Sequence, residues 1–138
     1  MPAVPRELRP DACRRLIMKG GVGRVAFQSA SGQHIMPVNF QLDGDSVVFR
    51  TTRDSELGRL APVAEAALEV DELDVETRSG WSVVAKGRID VIPENFETAA
   101  IRFFGKDPMP WAGGVRRLYL RLTWRELTGR ELAAPWWC

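Results

Sequence analysis

The stretch Arg50-Thr51-Thr52-Arg53-Asp54-Ser55 gathers three hydroxyls and two guanidiniums where an apolar run gives way to a short helical pattern. Such donors, set between a strand end and a helix start, can hold an anion such as a phosphate. The same residues also read as a surface turn in which a serine caps a helix. Upstream, His34 to Leu42 has the composition of a strand but contains Pro37. Proline has no N–H to give a ladder. Its position therefore predicts an interrupted ladder or a sheet edge, with backbone groups of Val38 and Asn39 free to meet something other than a strand.

Other site chemistries do not fit the pattern. There is a single histidine, His34, and neither HExxH, GxSxG, a P-loop nor GxGxxG occurs. His34 is titratable near neutral pH, yet one histidine on a strand is more often structural than chemical. The run Gly20 to Val25 lies after a helix and before a strand, the reverse of a phosphate-binding helix start. Asp71 and Asp74 fall in an acidic turn and read as solvated. Cys13 and Cys138 stand near opposite ends with no ligand spacing around them, which argues against a disulfide framework and a zinc site.

The elements that must position these residues follow from periodicity. Asp11 to Gly21 reads as a helix with Leu16 and Ile17 inward, Asp11 as cap and Gly20-Gly21 as stop. Three strands follow, with turns at Ser31-Gly32 and at Asp43-Gly44-Asp45. Ser55 or Asp54 caps a brief helix with Leu57 and Leu60 inward, ended by Pro62. Two further strands carry Val70 and Trp81, Val83 and Ala85 across an exposed acidic loop. Pro93 to Gly105 spaces Phe96, Phe103 and Phe104 as an amphipathic helix, and Leu118, Leu120 and Leu122 alternate in a last strand against Arg117, Tyr119 and Arg121. This predicts a mainly β protein with short α elements: a six-stranded, antiparallel, closed or nearly closed barrel with peripheral helices.

The chain has 138 residues, 45% hydrophobic and 27% charged, with a net charge of +1. These values predict one folded domain over 1–138, with flexible ends at 1–8 and 133–138, and give no global sign of nucleic acid or membrane as partner. The basic clusters at Arg6 to Lys19 and Arg116 to Arg130 read as solvated faces. The first residues lack the apolar core of a secretory signal, and no run approaches the roughly 20 apolar residues that span a bilayer, so a cytoplasmic protein is expected.

The ordered segments VGRVAF, MPVNFQLDGDSVVFRT, EVDELD, GWSVVAKG, PMPWAGG and LTGREL resemble the pyridoxamine 5'-phosphate oxidase-like proteins of the FMN-binding split-barrel superfamily, in the branch that includes nitroimidazole-resistance-type proteins. The resemblance covers about residues 8 to 132. It implies a six-stranded split barrel that forms a homodimer with two FMN sites between subunits. It also implies that Met36, Pro37, Val38 and Asn39 run beside the isoalloxazine ring, and that Arg50, Thr51, Thr52 and Ser55 approach the phosphate. Trp81 and Ser82 would touch the flavin, and Trp111 would close the pocket from the partner subunit.

One departure bears on the cofactor. Many relatives read [ST]KL where this chain has Ser55-Glu56-Leu57, and a carboxylate beside a phosphate is repulsive. Glu56 must point away, with Arg53 or Arg59 replacing the missing charge, or FMN binds weakly, or another ligand takes the site. The expected function is an FMN-dependent oxidoreductase acting on a small planar acceptor, with no protein nucleophile required and no acid or base that can be named. The alternative is a carrier that holds a flavin, a deazaflavin or a haem-type ligand without turnover. A weaker reading is a flavin-free interaction protein that meets a partner through its PWWC tail. No basic cluster for a phosphorylated substrate can be assembled, which argues against pyridoxamine phosphate oxidation itself.

Overall fold

The structure is a computed structural model and describes residues 4–19, 21–94, 101, 107–111, 113 and 116–133. Of the helix expected over Pro93 to Gly105, only Pro93, Glu94 and Ile101 are among them; Gly20 and the PWWC tail lie outside the described residues.

Apolar residues at alternate positions bury one side of each strand, which is how the strands recognise their inner face. In β2 (Val22–Ser29) the buried side is Gly23, Val25 and Phe27; in β3 (Gly32–Asp43) it is led by Val38 and Phe40. The turn between them is Ala30-Ser31, one residue earlier than expected, because Ser29 pairs with Gly32. Asp43-Gly44-Asp45-Ser46 turns β3 into β4 (Ser46–Thr51), with Gly44 at φ 63°, a conformation that costs glycine least. After α2 (Glu56–Leu60) come β5 (Val63–Asp74), β6 (Ser79–Ile92) and β7 (Leu118–Leu132).

The strand order is β7-β4-β3-β2-β5-β6, and β6 pairs back to β7. This is a closed antiparallel ring of six strands, and closure removes the outer edges an open sheet would expose. A two-residue strand, β1 (Arg6–Glu7), adds to β7. Val25, Phe40, Phe49, Leu68, Val83, Leu120 and others form one buried core, joined by Cys13 and Ile17 of α1 (Pro10–Lys19). Asp11 sits inside α1 and pairs with Arg15 at 3.3 Å rather than capping it.

Two local expectations fail. Leu60 is exposed, because only Leu57 of the five-residue α2 reaches the core. Tyr119 is buried with Val48, Ile92 and Ile101, so β4 and β7 are covered on both faces here. No helix among the described residues is long and apolar enough to cross a membrane.

The ring is split along β3. Strand β4 pairs only with Phe40–Asp43, leaving Gly32–Asn39 with β2 on one side and, among the described residues, no strand on the other. Phe40 N donates to Gly21 O at 3.0 Å, and in an antiparallel pair such bonds alternate. Even-numbered residues of β3 therefore turn their backbone groups to β2, and odd-numbered ones turn away. Pro37 falls at an outward position, as a strand proline should. Val38 does not: its backbone groups are spent on β2, so the freedom expected for Val38 belongs instead to odd-numbered neighbours such as Gln33 and Ile35.

Candidate functional site

The end of β4 is tightly self-satisfied. Ser55 Oγ receives Thr51 Oγ1 at 2.9 Å and Gly58 N at 2.9 Å, and donates to Thr52 O at 2.8 Å. It is thus the cap of α2, the role its residue type favours most. Glu56 turns away from this strand end to the β2–β3 hairpin, where its Oε1 accepts from Ser29 Oγ at 2.9 Å and Ser31 Oγ at 3.2 Å. Arg59 holds its other oxygen at 3.3 Å. These contacts, the Ser29 hydroxyl foremost, lower the Glu56 pKa.

His34 Nε2 lies 2.7 Å from Ser29 Oγ, with the ring stacked on Phe27. Each serine has one proton; with that of Ser29 on the Glu56 carboxylate at 2.9 Å, the donor between Ser29 and His34 is the ring nitrogen. That proton order makes a clamp between hairpin and helix, not a serine awaiting deprotonation by a base. Sequence reasoning left the role of His34 open, and its Ser29 and Ser31 partners were missed.

Arg50 is also engaged. Its Nε donates to Arg116 O at 2.9 Å and its Nη1 to Asp107 at 3.3 Å, over the face of Tyr119, whose hydroxyl donates to the same carboxylate. Arg116 differs: its Nε is buried with no hydrogen-bond partner. An unmet buried donor costs about 1–3 kcal/mol, so it marks a place where an acceptor is wanted.

Along β3, alternation points Met36 and Val38 inward, against or within the core, and Pro37 and Asn39 outward. Asn39 Oδ1 accepts Trp111 N at 2.8 Å, which brings two candidate residues together and leaves the Trp111 side chain 82% exposed. Trp81 and Ser82 lie elsewhere. They line a cavity of about 340 Å³ with Leu73, Val75 and Leu132, which none of the other candidate residues reaches.

The barrel's outer face carries a cluster missed in the sequence. Arg24 Nη1 bridges Glu69 at 3.0 Å and Asp71 at 3.3 Å. Asp71 is the register partner of Ser82, and Arg24 that of Pro37. Burial, reinforced by Asp71, pushes the Glu69 carboxyl up to about 7. Since the unfolded carboxyl titrates near 4.5, the folded chain holds the extra proton between these values, and this contribution to stability is lost as pH rises from about 4.5 to 7. The Glu69 side chain is 33% exposed, so screening reduces the effect to about 1–2 kcal/mol. Denaturation at pH 5 and pH 7.5 is expected to show that loss in the wild type and a flatter profile in Asp71→Asn. Equal slopes would mean that the two carboxyls do not share a proton.

Known proteins place this barrel. The profile of the pyridoxamine 5'-phosphate oxidase family matches residues 9–131. The chain belongs to this family. The putative pyridoxamine 5'-phosphate oxidase of Corynebacterium glutamicum shares the fold at TM-score 0.81 and 24% identity, over 98% of either chain. The FAD binding protein of Mycobacterium smegmatis does so at TM-score 0.71 and 23% identity, over 94% of this chain and all of that one. The uncharacterized protein Rv0080 of Mycobacterium tuberculosis is 36% identical over 86 residues. That match spans 59% of this chain and 57% of the relative's length.

For a pyridoxamine 5'-phosphate oxidase family barrel, the residues present fit a phosphorylated planar ligand in two respects. The outward edge of β3 offers flat, strand-free backbone beside an exposed indole, and Arg116 offers a buried donor without an acceptor. They do not fit a phosphate at the start of α2, where Ser55 is satisfied and Glu56 and Arg59 are paired to each other and to the hairpin.

Proposed function

We propose that the chain binds FMN between two copies of itself and is a flavin-dependent oxidoreductase acting on a small planar acceptor. The observation that carries this is the strand-free half of β3, with Pro37 and Asn39 outward and Trp111 exposed beside them. A flat ring can lie along such an edge, and its polar rim can meet the outward backbone groups that a strand would otherwise take. Trp81 and Ser82 lie on β6, separated from β3 by β2 and β5 in the ring. A second copy related by a twofold axis, the commonest form of association, can bring its own Trp81 and Ser82 to the first copy's β3.

Bound FMN would supply the redox chemistry itself. The chain's residues would orient the ring along β3, exclude water through Trp111, and fix the ligand's charged end. The Ser29 and Ser31 hydroxyls, in contact with Glu56, are not placed as nucleophiles.

Mass spectrometry of small molecules released on denaturation, with the visible spectrum of the native protein, tests the reading. FMN that is bleached by a reduced nicotinamide without oxygen supports a reductase; haem or a deazaflavin in its place supports the carrier alternative. Light scattering should give a dimer at micromolar concentration. Trp81→Phe is expected to remove a measurable share of the tryptophan quenching that accompanies FMN binding, and an unchanged amplitude would take β6 out of the site.

A further inference from the structure

Glu56 opens α2 as an anion held by Ser29, Ser31 and Arg59, so the charge that meets a ligand phosphate has to come from elsewhere in the fold. The nearby cations are either paired or fully solvated. Arg59 is bound to Glu56, and Arg50 is held by Asp107, Tyr119 and the Arg116 carbonyl, with its side chain only 18% exposed. A phosphate arriving at Arg50 would have to displace the Asp107 carboxylate, exchanging one anion for another with little gain. Arg53 is exposed and offers a solvated charge of small worth.

Arg116 is neither: its Nε is buried and unpaired. It stands two residues before the Thr51–Leu118 pair that ends the β4–β7 ladder, and its own carbonyl holds Arg50. It therefore lies beside the hydroxyl-rich end of β4. Its side chain makes no hydrogen bond or ion pair among the described residues, and its Nε is shielded from water as well. A guanidinium is always charged and presents its donors in a planar fork that matches a phosphate face. The buried Nε is left unmet in the free protein, and an acceptor brought within its reach would relieve that cost.

We infer that Arg116 is the residue that holds the phosphate of the ligand, so that the phosphate lies at the junction of β4 and β7 and not at the start of α2. The identity of the ligand as a flavin rests on the function proposed above; the anion site itself rests on Arg116.

The two can fail separately. Riboflavin, FMN and inorganic pyrophosphate are titrated into the wild type, Arg116→Lys and Arg116→Met, with calorimetry for affinity and thermal unfolding for stability. Arg116→Met is expected to weaken FMN about tenfold to a hundredfold, the worth of a charge-assisted hydrogen bond, and to leave riboflavin unchanged, with Arg116→Lys between them. Pyrophosphate should raise the melting temperature of the wild type and not of Arg116→Met. Without ligand, Arg116→Met should melt no lower than the wild type, because it removes a buried unmet donor. Equal weakening of FMN and riboflavin, or unchanged FMN affinity, would overturn the assignment of Arg116. Failure of the wild type to bind either flavin would overturn the flavin reading alone; the pyrophosphate response, lost in Arg116→Met or absent from the start, would then decide for or against the anion site.

Discussion

Gly87→Ala is expected to destabilise the barrel by about 3–5 kcal/mol, at the upper end of what one added methyl does in a packed interior. Gly87 lies on β6 where the register against β7 shifts, between Lys86 opposite Glu126 and Gly87 opposite Trp124. A Cβ built there would sit 1.9 Å from the Thr123 carbonyl oxygen and 2.8 Å from the Trp124 Cα. These are backbone atoms, so no side chain can rotate out of the way; β7 itself has to move. Because β6–β7 is the pairing that closes the ring, its displacement loosens both strands at once. Chemical denaturation would report the loss as a lower midpoint, and thermal melting as a fall on the order of 10–20 °C for a domain of this size. A change under 1 kcal/mol would show that the close approach at the bulge relaxes at little cost.

Phe49→Ala is expected to cost a similar amount, about 3–5 kcal/mol, by the opposite route of an unfilled cavity. Phe49 is fully buried on β4, opposite Phe40 of β3 and Leu120 of β7. It anchors the short strand whose next residues are Arg50 and Thr51, so the variant should loosen the candidate phosphate end together with the core. Leu73→Ala serves as the control: that side chain is 68% exposed, and its loss should change stability by no more than about 0.5 kcal/mol. Comparable midpoints for the two variants would contradict the placement of β4 at the centre of the core.

How far these features could be read from the residues depended on range. Alternation in Leu118, Leu120 and Leu122, the turn at Gly44 and the cap at Ser55 are local, and each stood in the chain before any contact was known. Tyr119 was misjudged because Ile92 and Ile101, distant in sequence, cover the face it occupies. Glu56 finds its hairpin partner Ser29 across 27 residues, and Arg50 finds Asp107 across 57. A residue's capacity to bind an anion is local, whereas whether that capacity is already used is settled by such distant neighbours. Arg50 has the composition of a phosphate ligand and is occupied; Arg116, which drew attention only as part of a basic face, is not.

The unpaired half of β3 has one more consequence, and it concerns other molecules. A row of outward backbone donors and acceptors along a strand edge is a template on which a strand from any passing chain can dock, the first step of edge-to-edge aggregation. On this edge the outward positions run through Gln33, Ile35, Pro37 and Asn39, and the third has no donor to offer. An incoming strand would meet a gap in the middle of its ladder and a pyrrolidine ring against its backbone. A flat ligand needs no continuous ladder and loses nothing by that gap. Pro37 thus closes the edge to a strand while leaving it open to the ring proposed above, so that the split itself need not invite other chains in a crowded solution.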